Sequence, residues 1–417
     1  MSAATDLTAE ERSWLEGQAA GLVDFTRGSV HPDGGFAWLD DDGVPQLERP
    51  VELWVTCRMT HVLALAALRG DSGAGDLVGH GVAALRGRLH DDEHGGWYAS
   101  VETAPDGSSR PVDDTKQSYA HSFVILAAAS AVAAGHPDAR PLLDDALAVF
   151  GDRFWIEGDG LVADVWDRPF STLDPYRGVN ANMHSVEALL AAHDVTGDRV
   201  LLERATSIVS RVVHGFAAGN DYRLPEHYDQ QWHQLLDYNR DRPADKFRPY
   251  GVTIGHLLEW ARLALHLRTA LGADAPEWLL TDAVALFDRA VADGWDVDGA
   301  PGLVYTTDFD ATPIVRDRLH WVVAEGLATA WTLALVTGEA GYRTWFDEWR
   351  QHINDLFVDR ERGSWHHELD SSNHPSSHVW DGKPDTYHAY QAVLLPSLDE
   401  TTSFVAGVLA QTRPHPV

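Results

Sequence analysis

Cysteine is almost missing from this sequence. Cys57 alone among 417 residues excludes an intramolecular disulfide framework and any thiolate metal cluster. Basic residues are scarce as well: 32 Lys+Arg stand against 63 Asp+Glu, a formal net charge of −31. That charge repels phosphate backbones and anionic lipid, so neither nucleic acid nor a membrane surface is expected as a partner. The acidic residues are scattered along the chain and not gathered into a tail, which reads as solubility. Long apolar runs are absent: none approaches the about 18 residues of a membrane span. Met1 to Arg12 is polar and acidic, without the basic and then apolar order of a secretory leader. The expectation is a cytoplasmic protein. No G-x-G-x-x-G, phosphate-binding P-loop, G-x-S-x-G elbow or H-E-x-x-H stands in a fitting context, so no nucleotide, acyl-enzyme or cofactor is expected.

What is present is 44% apolar residues, enough for a large core, and a repeat. Five long helical stretches end in Gly70, Gly135, Gly197, Gly272 and Gly338, separated by 65, 62, 75 and 66 residues. Gly after a helix supplies the left-handed residue that ends it. The stretches before these glycines, Glu52–Arg69, Gln117–Ala134, Asn182–Thr196, Ile254–Leu271 and His320–Thr337, are rich in Ala, Leu and Val nearly all round, the mark of buried helices. Those that follow, Ala74–Leu89, Ala139–Phe154, Arg199–Phe216, Ala275–Ala292 and Tyr342–Phe357, carry Asp, Glu and Arg on one face and read as outer helices.

Six times a turn leads into a short aromatic or β-branched run after an outer helix: at Gly34-Gly35-Phe36, Gly95-Gly96-Trp97, Gly160-Leu161-Val162, Asn220-Asp221-Tyr222, Gly302-Leu303-Val304 and Gly363-Ser364-Trp365. Thr8–Phe25 supplies a sixth outer helix and Pro384–Leu395 a sixth inner one. Twelve helices in six pairs predict an all-α (α/α)6 barrel forming one domain over residues 1–417, with short hairpins in the long loops. Outer-to-inner connections run for about two to three dozen residues, far beyond the usual ~4–6, and such loops tend to be functional. The site is therefore expected at the N-terminal ends of the inner helices.

Those ends are polar. They offer Trp54 and Arg58; Lys116, Gln117, Tyr119 and His121; Asn180, His184 and Glu187; His256 and Glu259; His320, Trp321 and Glu325; and Asp385, His388 and Gln391. Spacings of three or four put Trp54/Arg58, Asn180/His184/Glu187, His256/Glu259 and Trp321/Glu325 each on one helical face. Polar groups converging in a barrel interior need partners or a ligand, so these ends read as a binding cavity. With 22 histidines, most serve as surface or hydrogen-bonded structural residues, but His184, His256 and His388 stand on apolar helices at matching depth. Arg58 could equally be an ion-pair partner of Glu325 or Glu187. Most tryptophans are packing residues; Trp54, Trp321 and Trp380 fall where a ring could stack on a sugar. Metal ligation by His256-Leu257-Leu258-Glu259 or His366-His367 is the competing use of these side chains, and no metal is expected. Histidines in a polar, aromatic-lined pocket suit proton transfer near neutral pH. Arg58 against a developing enediolate oxygen would add electrostatic stabilisation.

Leu53-Trp54-Val55-Thr56-Cys57-Arg58-Met59, Asn180-Ala181-Asn182-Met183-His184-Ser185-Val186-Glu187, Gly255-His256-Leu257-Leu258-Glu259-Trp260 and Trp380-Asp381-Gly382-Lys383-Pro384-Asp385-Thr386-Tyr387-His388 resemble the N-acylglucosamine 2-epimerase superfamily, in its aldose–ketose isomerase branch. Gly95-Gly96-Trp97-Tyr98 and Glu226-His227-Tyr228-Asp229 extend the likeness over nearly the whole chain. The resemblance implies an (α/α)6 barrel and metal-independent 1,2-isomerisation through a cis-enediol. In it His388 shuttles the proton between C2 and C1, and His256, paired with Glu259, assists ring opening. Arg58, Tyr119, Asn180 and His184 hold hydroxyls and the enediolate, and Trp321 and Glu325 complete the wall.

Sulfoquinovose-acting members carry Gln where this chain has His367 and Pro384, and Pro has no amide for a sulfonate oxygen. The expected substrate is an unsubstituted monosaccharide: D-mannose to D-fructose, with D-lyxose to D-xylulose beside it. A mannose/glucose 2-epimerase, sulfoquinovose isomerase, carbohydrate hydrolase or lyase, and non-catalytic sugar-binding scaffold are the alternatives. A hydrolase would need a carboxyl pair about 5–10 Å apart, for which Glu187, Glu259 and Glu325 are available. The sequence is compatible with a monomer or a homodimer.

Overall fold

The structure is a computed structural model that describes residues 6–412. Among the described residues are thirteen α-helices: α1 (Ala9–Arg27), α2 (Leu53–Leu68), α3 (Ala74–Arg86), α4 (Ser118–Ala133), α5 (Ala139–Val149), α6 (Val179–Thr196), α7 (Arg199–Val209), α8 (Ile254–Leu271), α9 (Trp278–Gly294), α10 (His320–Thr337), α11 (Ala340–His352), α12 (Tyr387–Leu394) and α13 (Phe404–Thr412). Burial separates two kinds, as the residue patterns require. In α2 and α8, 14 residues each are buried, against 4 of 11 in α5 and 3 of 13 in α11. Inner and outer helices alternate in the order of an (α/α)6 fold. The five glycines after the inner helices all take positive φ, between 57° and 94°. No described helix is long and apolar enough to cross a membrane.

The chain forms two compact units. The first comprises residues 23–208, 384–387 and 401–412; the second, residues 6–22, 209–383 and 388–400. In the first unit α4 packs between α2 and α6, while α3 lies against α2 and α5 against α4. In the second unit α8 packs on α10, with α9 outside α8 and α11 outside α10. Large apolar side chains fill both: Trp97 and Phe123 are fully buried in the first, Trp260, Trp349 and Trp365 in the second.

The connections from outer to inner helices carry the expected short pairings. Val30 bridges Phe36, His90 bridges Trp97, Trp155-Ile156 pairs with Leu161-Val162, Trp295 bridges Leu303 and Val358 bridges Trp365, all antiparallel. Three of these connections are pinned by a buried ion pair of one design. An aspartate beyond the outer helix meets a cation just before the next inner helix: Asp91–Lys116 at 2.9 Å, Asp298–Arg318 at 2.5 Å and Asp359–Lys383 at 2.6 Å. His121 serves the same end. Its Nδ1 donates to Gln117 O at 2.8 Å, and its Nε2 accepts Trp97 N–H at 3.1 Å. A Cβ on Gly96 (φ +68°) would stand 2.8 Å from that Nε2, so this turn needs glycine.

Three expectations are corrected. Asn220-Asp221-Tyr222 forms no strand: Ala218–Asn220 is a 3₁₀ turn, and Asp221 and Tyr222 are left-handed. Gly219 before that segment lies inside the 3₁₀ turn and not at positive φ as the glycines of the other five do, and Tyr222 N–H closes back on Ala217 O at 2.8 Å. The sixth inner helix begins at Tyr387 and not at Pro384, because Asp385 Oδ1 accepts Tyr387 N–H at 2.9 Å and caps it there. A further helix, α13, follows it. Ser403 Oγ accepts Ala406 N–H at 3.2 Å as its cap and donates to Asp194 Oδ2 at 2.6 Å, and α13 packs on α2, α4 and α6.

Candidate active site

The second unit brings together two histidines that the sequence places 132 residues apart. His256, in the first turn of α8, donates from Nδ1 to Glu226 Oε1 at 2.9 Å. His388, in the first turn of α12, donates from Nδ1 to Glu325 Oε1 at 2.8 Å. A carboxylate can only accept here, so each imidazole carries its hydrogen on Nδ1. Both rings lie against Trp321, with centroids 5.3 Å and 5.6 Å away and tilts of 39° and 36°. Tyr305 meets the same indole edge-on at 5.9 Å. Trp321 sits so close to α8 that a Cβ on Gly255 would fall 2.3 Å from its Cζ3. His256, Glu259, Glu325 and His388 are all at most 7% exposed.

The pairing of His256 with Glu259 is therefore corrected. Glu259, one helical turn beyond His256, faces the Arg262 guanidinium, Nη2 to Oε1 at 3.5 Å. The same guanidinium donates from Nε to Glu325 Oε2 at 2.8 Å. One turn along α8 thus separates His256, which goes with Glu226, from Glu259, which belongs beside Glu325 and His388. Glu259, Glu325 and His388 present ligand atoms within 4.8 Å of one another, spacing that a metal ion could use. Arg262 already stands between the two carboxylates as their countercharge, and both Glu325 oxygens are occupied. Asp317, Glu368 and His378 form a similar group, but Glu368 accepts from Ser376 Oγ and from the backbone N–H groups of His378, Val379 and Trp380. Those four bonds tie down the loop that carries Trp380. The Trp380 ring packs edge-on against Phe247 at 5.5 Å, under Lys246 Nζ at 5.4 Å.

The first unit gathers Trp54, Tyr119 and, through Tyr119, His184 around Arg58. Its Nη1 donates to Asp385 Oδ2 at 3.1 Å and its Nη2 to Tyr119 Oη at 3.0 Å. This replaces the ion pair with Glu325 or Glu187 considered above. The guanidinium carbon lies 4.5 Å from the Phe123 ring centre, 4.7 Å from Tyr387 and 5.0 Å from Trp54. Burial opposes the Arg58 charge, but Tyr119, Asp385 and Tyr387 outweigh it and hold its pKa above the ordinary value. Tyr387 Oη bonds Glu187 Oε2, and His184 Nδ1 lies 3.8 Å from the same oxygen. His184 also packs on Tyr119 and Phe123, at 5.2 Å and 4.6 Å. Asn180 Oδ1 and Arg58 Nε are buried without a hydrogen-bond partner among the described residues, and such groups call for a ligand or water.

Glu226, Arg262 and Tyr387 are the residues that sequence reasoning left without a role in the site; Asp385 stood among the polar helix ends, without its partner. Arg262 had a signal: it is a cation on an apolar helix, three residues from Glu259. Glu226 had only the family likeness of its segment Glu226-His227-Tyr228-Asp229, which names no partner, and it reaches His256 from a connection 30 residues earlier.

These residues stand on helices that follow one another in the order of an (α/α)6 fold. Comparison with known proteins agrees. The family model for N-acylglucosamine 2-epimerase (GlcNAc 2-epimerase) matches residues 34–392. The D-mannose isomerase of Thermobifida fusca is 52% identical over 403 residues, 96% of this chain and 98% of that one. The D-mannose isomerase of Pseudomonas cannabina pv. alisalensis is 46% identical, covering 95% of this chain and 94% of that one. A crystal structure of D-mannose isomerase superposes with a TM-score of 0.86 at 29% identity, over 94% of this chain and 99% of the other. The chain belongs to the N-acylglucosamine 2-epimerase family, and it is an enzyme of the epimerase and aldose–ketose isomerase class.

Proposed function

We propose that this enzyme interconverts D-mannose and D-fructose, and D-lyxose and D-xylulose beside them, by proton transfer that needs no metal. The observation that carries this reading is the pair of histidines fixed through Nδ1, His256 on Glu226 and His388 on Glu325, against one indole. Relatives at 52% and 46% identity named D-mannose isomerase support the choice of sugar.

In the proposed reaction His256 moves the proton that opens the pyranose ring. His388 Nε2 then removes the C2 proton of the open aldose while protonated His256 gives one to the C1 carbonyl oxygen, which makes the cis-enediol. The imidazole of His388 returns its proton to C1 as the C2 hydroxyl gives its own back to His256, and the ketose results. Arg58, Tyr119, Asn180 and His184 are assigned to the sugar oxygens. Buried donors and acceptors aimed at oxygens of developing charge stabilise the enediolate more than the ground state. Trp54, Trp321 and Trp380 are assigned flat apolar contact with the sugar. Glu259 is assigned to the charge balance around His388.

The similarity of the two histidine–carboxylate pairs also favours a second reading, a 2-epimerase that returns the proton to C2. A proton NMR time course with D-mannose in D2O containing EDTA separates them. Fructose without early glucose is the expected result; glucose as first product would establish the epimerase. If only sulfoquinovose turns over, the substrate argument from His367 and Pro384 fails. Replacing His388 with Ala is expected to abolish deuterium exchange at C2 while mannose still binds, and near-wild-type turnover by H388A would remove His388 from the shuttle.

A further inference from the structure

Arg262 lies six residues beyond His256 on α8, completely buried in the second unit, and the reaction above does not use it. Its neighbours Leu258, Ala261, Leu263 and Leu265 are apolar and buried. An arginine there is expensive to desolvate, and replacing a buried ion pair by apolar side chains often costs no stability. Stability alone is thus a poor account of it.

Its contacts point elsewhere. Arg262 Nε donates to Glu325 Oε2 at 2.8 Å, and Glu325 Oε1 accepts from His388 Nδ1 at 2.8 Å. An unbroken chain of buried groups therefore runs from α8 through α10 to α12 and ends on the imidazole. Glu259 and Glu325 also bring oxygens within 4.8 Å of each other. Two carboxylates at that distance resist ionising together unless a cation lies with them, and Arg262 is that cation. A protonated Glu325 would offer O–H to His388 Nδ1, which would force the imidazole hydrogen onto Nε2 and leave no lone pair there. Among the described residues, the Glu226–His256 pair has no such arginine.

We propose that Arg262 is a positioning residue for His388: it clamps Glu325 by its second oxygen and keeps it ionised beside Glu259, so that His388 carries its hydrogen on Nδ1 and presents Nε2 as the proton acceptor. The proposal rests on the mannose–fructose reading above for its kinetic consequences, and its tautomer consequence stands without a substrate.

The test compares wild type, R262M and R262K with D-mannose in D2O and in H2O. R262M is expected to lose about 10²-fold or more in kcat, with KM within about threefold and C2 deuterium exchange falling in parallel. R262K keeps the charge but loses the fork, and about a tenfold loss is expected. Wild-type kcat in either folded variant overturns the proposal, as does a loss that appears only in KM. If R262M does not fold, R262K decides. Histidine-labelled 15N spectra, assigned with H388A, give the second readout: an Nδ1-protonated His388 in wild type and a moved hydrogen in R262M. An unchanged His388 tautomer in folded R262M overturns the proposal whatever the substrate. Absence of any mannose turnover by wild type is the separate outcome that removes the functional reading, and the tautomer comparison then still decides the role of Arg262.

Discussion

His256 and His388 each have one nitrogen committed to a carboxylate, at 2.9 Å and 2.8 Å, and that commitment decides what the other nitrogen can do. A histidine without an orienting partner divides its time between tautomers and ring orientations; one bonded through Nδ1 has a single reactive position. Glu226 supplies this for His256, so its replacement tests the arrangement at the level of one atom. E226Q retains the shape and an acceptor oxygen but no charge to balance an imidazolium. Its kcat is expected to fall about 10–100-fold, with KM changed by less than about threefold in steady-state assays with mannose; unchanged kcat would mean that His256 needs no partner. The two histidines were legible in the sequence, because a polar residue on an otherwise apolar helix stands out. The partnership of Glu226 was not: its segment carries the family likeness, but nothing in it says which of 63 acidic residues reaches the imidazole.

Site residues lie at the starts of the inner helices, and each start needs an anchor. The Asp–cation pairs Asp91–Lys116, Asp298–Arg318 and Asp359–Lys383 recur at the same place in the repeat. Lys383 Nζ also donates to Gly363 O at 2.9 Å, which ties the turn after α11 to the segment leading into α12. Asp359 keeps its charge to low pH: burial pushes its pKa up, but Lys383 and the backbone N–H groups of Glu361 and Arg362 overcome this and bring it to about 2. Removing the lysine leaves that carboxylate buried without its cation, a loss of about 3–5 kcal/mol. K383M is accordingly expected to lower the thermal midpoint by several degrees, measured by calorimetry at pH 7; an unchanged midpoint would show that the pair contributes nothing to stability. Four of the inner helices, α2, α4, α8 and α10, were read to within a residue because their apolar surface extends all round, while the starts of α6 and α12 were missed by three. α13 was not, since nine residues carry little periodicity and its Ser403 cap resembles any serine in a loop.

At the scale of the whole molecule, buried histidines make acid the weak side of this protein. Burial lowers His61 to about 4, with Glu187 pulling the other way. It lowers His121 to about 3 against the Gln117 carbonyl, and His352 to about 4, where Arg318 adds to the effect. All three are neutral in the folded state where an unfolded chain, near 6.5, already binds protons. Protons therefore favour unfolding: the stability from these groups is complete above about pH 6.5 and drains away as pH falls toward about 4. Asp359 adds its own loss only at lower pH, below its ordinary 3.8. The urea midpoint is expected to drop steadily between pH 7 and pH 4.5, and H352Q to flatten that slope. A midpoint constant over the range would contradict the neutral state of these residues.

The amino-acid sequence by itself determined the alternation of buried and exposed helices, the glycine stops between them and the end at which the polar residues collect. These follow from periodicity and chain stiffness, which act over a few residues. Tertiary structure alone decided the partners. Glu226 rather than Glu259 holds His256, Asp385 rather than Glu187 or Glu325 meets Arg58, and Arg262 joins Glu325 to His388. A carboxylate bonds whatever donor lies within about 3 Å. That distance is set by how whole helices pack, over separations of 30 to 327 residues along the chain, which no local pattern encodes.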